Sequence, residues 1–395
     1  MRPPPSQVQA EPENARFPGV PWETCGFLAA RLRNVLPFRG PVGKPVLRWS
    51  ENNVANCSVC KATPAAGAIG VCPACLRSLP EDEVSLGVHH ESRKKYGLPA
   101  GPPGDPAGAA CKLCANECRP GPGERGYCGV RENVGGKVRS ITGGDKAFVH
   151  FYLDLLPTNC CAAWFCEGSR ERGCNLAVFF YGCSFDCLFC QNHSHKSLAE
   201  SPVLADEDIV EAALQPEVRC VCFFGGSPEP QLPFALRASK KILERSGGKK
   251  RICWEWNGSG HPALVNRAAE LSAATGGTVK FDLKAFHPNT SRALCGVDNQ
   301  RTYQNFARLA RRYPQQDLLT ATTLLVPGYV GKEEVGRIAS FIAKLDADIP
   351  YSLLVFVPNY LMTDLPITSH RQVDECFTEA SLHLSRVQVG NVHLL

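Results

Sequence analysis

Three closely spaced cysteines are the strongest chemical signal in this sequence. They follow the pattern Cys183-x3-Cys187-x2-Cys190. Soft thiolate ligands suit iron–sulfur centres, and three ligands on a four-iron cluster leave one iron open to another molecule. The spacing therefore predicts a [4Fe-4S] cluster on these three residues. The alternatives are a zinc knuckle that lacks one ligand, or buried thiols that pack as small apolar groups.

A second group of thiols lies nearer the N-terminus, in two Cys-x2-Cys pairs. Eleven residues separate the pair Cys57/Cys60 from the pair Cys72/Cys75. Paired knuckles at this spacing suit one tetrahedral zinc ion held by four sulfurs. We expect a structural zinc site here, with an iron site or unligated thiols as the alternatives.

The spacing of a third group does not name its metal. Its members are Cys111, Cys114, Cys118 and Cys128. Zinc and an auxiliary iron–sulfur cluster both accept four thiolates, so both interpretations stay open. Cys160, Cys161 and Cys166 follow, but the adjacency of Cys160 and Cys161 makes joint ligation awkward, and these three are left out of the set.

The composition indicates a folded protein whose thiols bind metals. The chain has 395 residues, 21 of them cysteine, with 44% hydrophobic and 21% charged residues. No apolar run of about 18 residues predicts a membrane span, and the N-terminus shows no secretory signal pattern. We therefore expect a cytoplasmic protein with no membrane partner, in which this many thiols indicate metal or cluster ligation rather than disulfides. The net charge of +5 is too small to indicate a nucleic-acid partner.

Apolar runs alternate with helical patterns from about residue 175 onward. The predicted strands are Asn175–Tyr181, Arg219–Phe224, Arg251–Trp256, Thr278–Leu283, Leu318–Val326, Tyr351–Val357 and Val387–Leu394. The predicted helices include Leu232–Glu244, Pro262–Ala274, Lys332–Leu345 and Gln372–Ser385. Near-continuous apolar strands are typical of a parallel sheet covered by helices. This order predicts an α/β fold, either an open sheet or a partial (β/α) barrel, with its chemistry at the C-terminal ends of the strands.

Composition also divides the chain into five segments. These are a Pro-rich segment (1–50, with a short helix predicted over Thr24–Leu36), a zinc-ribbon-like module (51–96), a linker (97–110), a Cys-rich region (111–174) and a core domain (175–395). Glycine and proline dominate the linker.

The three-cysteine loop resembles the CxxxCxxC signature of radical S-adenosylmethionine (SAM) enzymes. In that family the open iron chelates the amino and carboxylate groups of SAM, and the fold is a partial (β/α)6 TIM-like barrel. Phe223–Gln231 follows the second predicted strand, where the family carries a Gly-Gly-Glu-Pro motif. The resemblance implies that Gly225 and Gly226 lie against the methionyl end of SAM. Ser227 stands where the motif has Glu, with Glu229 two residues later.

Three later segments are similar to the pyruvate formate-lyase activating enzyme group. Its Asp-Thr-Asn-Gly, Asp-Leu-Lys and Val-Pro-Gly motifs correspond to Glu255–Gly258, Asp282–Lys284 and Val326–Gly328. The resemblance implies that Glu255 and Asp282 help to order SAM, partly through a bound cation, and that Asn257 lies near the SAM ribose. The alternative for Asp282 is a simple ion pair with Lys284.

A narrower resemblance extends over residues 111–395, roughly 70% of the chain. The radical SAM member of the AmmeMemoRadiSam system and its relatives have similar motifs at Cys111–Cys118, Cys128–Asn133, Gln191–Asn192, Phe223–Gln231, Tyr329 and Gly390–His393. The first 110 residues lie outside this resemblance.

These features predict a radical SAM enzyme with no assigned catalytic residue beyond the cluster ligands. The resemblance implies an electron donor such as flavodoxin or ferredoxin, cleavage of SAM to a 5′-deoxyadenosyl radical, and hydrogen abstraction from an unidentified substrate. Activating enzymes suggest a protein or peptide substrate. The alternative is a zinc-ribbon protein that binds nucleic acid or protein and has a non-catalytic barrel. Residues 1–130 hold 15 basic and 11 acidic residues, which gives little electrostatic support for nucleic acid.

Overall fold

The computed structural model describes residues 55–158, 160–314 and 317–395. The Pro-rich segment and the helix predicted over Thr24–Leu36 lie outside these residues. The first described elements are short: helices α1 (Pro73–Ser78) and α2 (Gly87–Lys94), and strands β1 (Arg131–Val134) and β2 (Lys137–Ser140). The two strands form an antiparallel hairpin.

One large mixed sheet forms the centre of the described chain. Its strands are β3 (Lys146–Leu155), β4 (Cys174–Phe180), β5 (Val203–Ala205), β6 (Val218–Gly225), β7 (Arg251–Trp256), β8 (Val279–Asp282), β9 (Leu319–Leu325), β10 (Tyr351–Val355) and β11 (Val387–Gly390). Their order across the sheet is β11-β10-β9-β8-β7-β6-β4-β3-β5. Neighbours from β4 to β11 pair in parallel, whereas β3 pairs antiparallel with both β4 and β5.

Helices alternate with the parallel strands. They are α3 (Asp206–Ala213), α4 (Leu232–Ser246), α5 (Pro262–Thr275), α6 (Pro288–Cys295), α7 (Gln300–Arg312), α8 (Lys332–Ala343) and α9 (His370–Ser381). Every residue of β4 is buried, as its continuous apolar sequence requires of a strand covered on both faces. The predicted α/β fold with a partial (β/α)6 barrel is confirmed, because β4 and β6 to β10 form six parallel strands in chain order.

Predicted and observed elements differ mainly at their ends and at the sheet edge. The last predicted strand stops at Gly390, because Asn391 has a left-handed φ of 58° and a 3₁₀ turn follows. β3, α6 and α7 are not among the predicted elements. Burial alternates along the first part of β3, which is typical of an antiparallel strand and not of the continuous apolar runs elsewhere.

The predicted zinc-ribbon-like module packs directly on the barrel. The Tyr329 hydroxyl, in the loop after β9, accepts from the backbone N–H of Ala66 at 2.9 Å and donates to the Val71 carbonyl at 3.1 Å. The Asn289 amide, in α6, donates to the carbonyls of Leu76 (2.9 Å) and Leu79 (2.8 Å). The loops after β8 and β9 therefore hold this part of the chain.

The predicted linker is also bonded to its neighbours. The backbone N–H of Arg119 donates to the Pro103 carbonyl at 2.7 Å, and that of Asp105 donates to the Arg119 carbonyl at 3.1 Å. None of the described helices is long and apolar enough to cross a membrane.

Candidate active site and cysteine sites

The loop after β4 carries the three predicted cluster cysteines at the C-terminal end of the sheet. Cys183 and Cys187 are buried, and Cys190 is partly buried. The Cys183 thiol donates to the Gly226 carbonyl at 3.2 Å. Its sulfur also accepts from the Phe185 backbone N–H (3.3 Å) and from the Asn257 side-chain amide (3.3 Å). The loop after β6 and the end of β7 therefore meet at Cys183.

The loop after β4 brings together three thiol side chains, the kind of donor that suits an iron–sulfur cluster. In the described parts of the chain, the only group of three or more potential ligands whose ligand atoms all lie within 4.8 Å of one another is Cys57, Cys60, Cys72 and Cys75. The sulfurs of Cys183, Cys187 and Cys190 are therefore spread more widely. A four-iron cluster is larger than one ion and takes thiolate ligands, so the donor set fits it.

A buried network of charged side chains contacts the loop that carries the three cysteines. Asp186, within the three-cysteine motif, is fully buried. Its carboxylate contacts His89 Nδ1 (3.0 Å), Lys196 Nζ (2.5 Å) and Arg93 (3.5 Å). Burial alone would raise the pKa of Asp186, but the His89 hydrogen bond and the charges of Lys196 and Arg93 lower it to about 2. His89 and Arg93 belong to α2, so the N-terminal module contributes directly to the shape of this loop.

The glycine pair after β6 packs against the same loop. A Cβ atom on Gly226 would lie 2.4 Å from the Gly182 carbonyl oxygen, next to Cys183. One on Gly225, whose φ is +114°, would lie 2.5 Å from the Phe180 backbone nitrogen. Only glycine allows this approach. The pair therefore forms a close-fitting turn beside the cysteines.

The carboxylate that follows the glycine pair is used inside the protein. Glu229 is fully buried and accepts a hydrogen bond from the Ser227 hydroxyl. It also accepts from the Ser259 backbone N–H at 3.1 Å. Burial raises the pKa of Glu229. Glu229 thus links the loops after β6 and β7. Ser227, which donates to it, directly follows the glycine pair.

The two other acidic residues assigned to SAM each pair with a lysine. Asp282 pairs with Lys284 at the end of β8, and Glu255 lies 3.6 Å from Lys280 Nζ. Burial raises the pKa of Glu255, although the Lys280 charge opposes this effect. The predicted ion pair between Asp282 and Lys284 is thus present, and both carboxylates lie at strand ends on the face that carries the cysteine loop.

A large segment of the chain matches a known family. Residues 177–342 match the family model described as the radical SAM superfamily. The chain therefore contains a radical SAM domain. The matched segment begins within β4 and ends in α8, so it contains the cysteine loop, the glycine turn and the ends of β7 and β8. This match confirms the predicted family and enzyme class; the narrower AmmeMemoRadiSam resemblance stays a prediction.

Individual relatives are distant. An uncharacterised protein of Methanocaldococcus jannaschii is 23% identical over 303 residues, which cover 71% of this chain and 81% of that protein. A domain of pyruvate-formate lyase-activating enzyme from Bacteroides vulgatus is 18% identical, with a TM-score of 0.36 over 43% of this chain and 98% of that one. A radical SAM methyltransferase from Sphaerobacter thermophilus is 16% identical, with a TM-score of 0.42 over 54% of this chain and 66% of that one.

The four cysteines of the N-terminal module, outside the matched segment, lie close together. Their sulfurs all lie within 4.8 Å of one another. The Cys57 sulfur accepts from the backbone N–H groups of Val59 (3.4 Å) and Cys72 (3.3 Å). Hydrogen bonds from the backbone of Ala62 and Thr63 lower the pKa of Cys60 to about 6. Thiolates held this closely could bind a single metal ion.

The third predicted set is less compact. The sulfurs of Cys111, Cys114, Cys118 and Cys128 do not all lie within 4.8 Å of one another. The Cys111 backbone N–H donates to the Cys118 carbonyl at 2.7 Å, and the Cys118 sulfur accepts from Tyr127 N–H at 3.4 Å. Burial raises the pKa of Cys118 to about 11 and that of Cys128 to about 12. The metal of this set stays a prediction with two alternatives.

Several site residues are missing from the sequence predictions. His89 and Arg93 support the cluster loop but lie far from it in sequence. Lys196 lies six positions after Cys190, and none of the three belongs to a recognisable motif. Five cysteines line one cavity on the inner face of the sheet: Cys160, Cys166, Cys220, Cys222 and Cys253. The alternation of Cys220 and Cys222 along a strand is a signal that places both on one face.

Proposed function

We propose that Cys183, Cys187 and Cys190 hold a [4Fe-4S] cluster and that SAM binds beside it. When bound, the cluster supplies the electron that cleaves SAM to methionine and a 5′-deoxyadenosyl radical, which abstracts hydrogen from the substrate. The main support is the convergence of the glycine turn and Asn257 on Cys183. The donor chemistry of the three thiols also favours a cluster.

The chain's own residues would bind and orient SAM. In the proposed site, Gly225 and Gly226 allow the amino acid end of SAM to approach the backbone closely. Asn257 would contact the ribose, and Glu255 and Asp282 would order the cationic ligand through charge. Glu229 is not part of this pocket, because Ser227 and Ser259 already use its carboxylate.

The protein supplies shape as well as contacts. Cofactor enzymes depend on the protein for binding, orientation and exclusion of side reactions. In this proposal the substrate enters over the C-terminal ends of the strands, and a flavodoxin or ferredoxin reduces the cluster. A protein or peptide is the proposed substrate class, on the resemblance to activating enzymes.

The four cysteines of the N-terminal module are proposed to bind one zinc ion. Four sulfurs within 4.8 Å of one another suit a closed tetrahedral site, which takes no substrate. Its role would be to fold residues 57–79 so that they pack against Asn289 and Tyr329. The zinc would therefore take no part in the radical step.

Anaerobic reconstitution tests the proposed function. The full chain is loaded with iron and sulfide, reduced with dithionite and mixed with SAM, and 5′-deoxyadenosine is measured. We expect product from the wild type and none from the variant Cys183→Ala/Cys187→Ala/Cys190→Ala. Undiminished cleavage by this variant would contradict the assignment of the ligands. A fully loaded wild type that never cleaves SAM would support the alternative of a non-catalytic barrel.

A further inference from the structure

A basic groove on the surface of the protein has no role in the function proposed above. It consists of two adjoining cavities of about 540 and 310 Å³. The residues that line both cavities are Ala110, Cys111, Lys112 and His261. Five basic side chains and one acidic side chain line the groove as a whole: Lys112, Arg119, Arg131, Arg301, Arg308 and Glu117. The groove therefore has an excess of positive charge.

Most of these cations are not neutralised within the protein. Among the described residues, Arg301 is the only one of the five that forms an ion pair, with Glu117 at 2.9 Å. Arg119 donates to two backbone carbonyls, at 2.8 and 3.2 Å, which carry no net charge. The Nε atom of Arg131 is buried and has no hydrogen-bond partner in the described part of the chain. An anionic partner would supply the negative charge that the groove lacks.

The cations come from separate parts of the chain. Lys112 and Arg119 belong to the Cys-rich region, and Arg131 begins β1. Arg301 and Arg308 both belong to α7 and lie seven residues apart, which places them on the same face of that helix. Charges distributed along a groove suit a partner with several acidic groups better than one small anion. The groove therefore fits the acidic surface of another macromolecule.

The groove adjoins the loop that carries Cys183. The side-chain amide of Asn116 donates to the Ser184 carbonyl at 2.8 Å, and Ser184 directly follows Cys183. Asn116 also directly precedes Glu117, which lines the groove. On this path, only Asn116 and Ser184 separate the lining of the groove from the proposed cluster ligand.

The loop after β7 fixes this arrangement. The Ser259 hydroxyl lies 3.0 Å from the Ser184 hydroxyl, and the Ser259 carbonyl accepts from the Ala115 N–H at 2.9 Å. The backbone N–H of His261, a residue that lines both cavities, donates to the Leu113 carbonyl at 2.7 Å. The same loop thus contacts the cluster loop on one side and forms part of the groove on the other.

We propose that the basic groove binds an acidic electron-carrier protein that reduces the cluster. This proposal rests on the proposed function, because it requires a cluster at Cys183. In each encounter the carrier would lose one electron and the cluster would gain it, and no covalent bond would change. Electron-transfer complexes have small interfaces, and attraction between opposite charges increases their rate of association. The closeness to Cys183 favours an electron carrier over a nucleic acid, because electron transfer requires a short distance between donor and acceptor.

The test compares two reductants of the reconstituted full chain. One is dithionite, a small molecule, and the other is an acidic flavodoxin that its NADPH-dependent reductase keeps reduced. The variant Lys112→Glu/Arg308→Glu reverses two charges of the groove. At low salt its flavodoxin-driven formation of 5′-deoxyadenosine should fall by about tenfold, because electrostatic steering is lost. Its dithionite-driven formation should not change.

The matched control reverses the same charge at another place. Lys240→Glu/Lys249→Glu changes two exposed lysines that do not line the groove, and it should keep both rates. Equal flavodoxin-driven rates in the two variants would overturn the proposal, as would a loss of the dithionite-driven rate as large as that of the flavodoxin-driven rate. If circular dichroism shows that the groove variant does not fold, Lys112→Glu alone replaces it, because Lys112 is exposed. The same selective loss is then expected.

Direct binding separates this proposal from the proposed function. Calorimetric titration of the wild type with flavodoxin should show binding that weakens as salt is added, and the groove variant should lose this binding. A wild type that binds flavodoxin in this way but cleaves SAM with neither reductant would contradict the proposed function and not the docking surface. Absence of binding at low salt would overturn the docking surface. A labelled RNA bound by the wild type and lost by the groove variant, with an unchanged flavodoxin-driven rate, would assign the groove to nucleic acid instead.

Discussion

Two cysteine sites in this protein are built in different ways. Cys57, Cys60, Cys72 and Cys75 lie within one short segment, and their sulfurs are gathered within 4.8 Å of one another. Cys183, Cys187 and Cys190 are also close in sequence, but their sulfurs are spread. Contacts from distant elements hold them: Gly226 and Asn257 at Cys183, and α2 at Asp186. The ligands of the first site all come from one short segment, whereas the second site is held by contacts from several elements of the barrel.

The two sites are proposed to hold different metal centres. A closed single-ion site needs four ligands around one point and can be made by two short knuckles. A cluster needs more space, an open face for SAM and a fixed environment that controls its properties. Because α2 supplies His89 and Arg93 to Asp186, the two sites are also connected: the module that carries the first site supports the loop of the second.

Removal of the zinc ligands should give the largest local effect. Cys60→Ser with Cys72→Ser should abolish zinc binding and unfold residues 57–79, since structural zinc contributes its binding energy to folding. Zinc content and limited proteolysis of the module measure this. Cys376→Ser, a buried cysteine of α9 outside all the proposed sites, is the control. If the double variant keeps one zinc per chain and an intact module, the single-ion assignment is wrong.

Removal of the buried carboxylate should destabilise the cluster loop strongly. Asp186→Ala would leave Lys196 and Arg93 buried without their partner, which costs about 3–5 kcal/mol. Urea unfolding of the metal-free chain measures this loss. Asp317→Ala, which breaks an exposed pair with Arg386, is the control and should cost about 0–1 kcal/mol. Equal effects of the two changes would show that the network does not support the loop.

The same residue gives a pH test with a defined sign. The pKa of Asp186 is about 2 in the folded protein, below its ordinary value of 3.8. Its ionised form therefore stabilises the fold above about pH 4, and this contribution is lost as the pH falls toward 2. The difference in unfolding free energy between wild type and Asp186→Ala should shrink over that range. A difference that stays constant between pH 7 and pH 2.5 would argue against the charge network.

A single methyl group tests the contact between the glycine turn and the loop. In Gly226→Ala the new Cβ would meet the Gly182 carbonyl at 2.4 Å, and overpacking of this kind costs about 1–3 kcal/mol. We expect lower stability and weaker retention of iron. Gly331→Ala is the control, because nothing lies within 4 Å of its Cβ position. Iron retention by Gly226→Ala equal to the control would show that the turn can move.

The smallest expected effect separates SAM ordering from a simple ion pair. If Asp282 orders SAM, Asp282→Asn should weaken SAM binding by about tenfold, measured by calorimetric titration of the reconstituted protein. Lys284→Met removes the partner but leaves the carboxylate, so it should bind SAM at least as well as the wild type. If both variants bind SAM with unchanged affinity, the pair is only structural.

The sequence predicts those features that depend on nearby residues. The strand Arg251–Trp256 is observed with the predicted bounds, because its largely apolar run, which starts at Arg251 and is interrupted only by Glu255, is typical of a strand in a parallel sheet. The two Cys pairs of the N-terminal module are equally local. The order of strands follows from short helical connections between them, so the barrel could be inferred before any coordinates.

The remaining features depend on contacts between distant residues. Asp186 is 93 positions from Arg93, and no pattern along the chain links them. The inward cysteines of β6 and β7 become a group only when Cys222 and Cys253 are placed in register. The role of Glu229 follows the same rule, since its partner Ser259 belongs to another loop.

The EPR spectrum of the reduced protein, recorded with and without SAM, tests the central claim most directly. The proposed function requires an iron at the Cys183 loop that is open to SAM. In reconstituted wild type, SAM should change the spectrum of the reduced cluster. In the variant Cys183→Ala/Cys187→Ala/Cys190→Ala, SAM should change nothing, including any signal that remains. A fully loaded wild type whose spectrum is the same with and without saturating SAM would contradict the account.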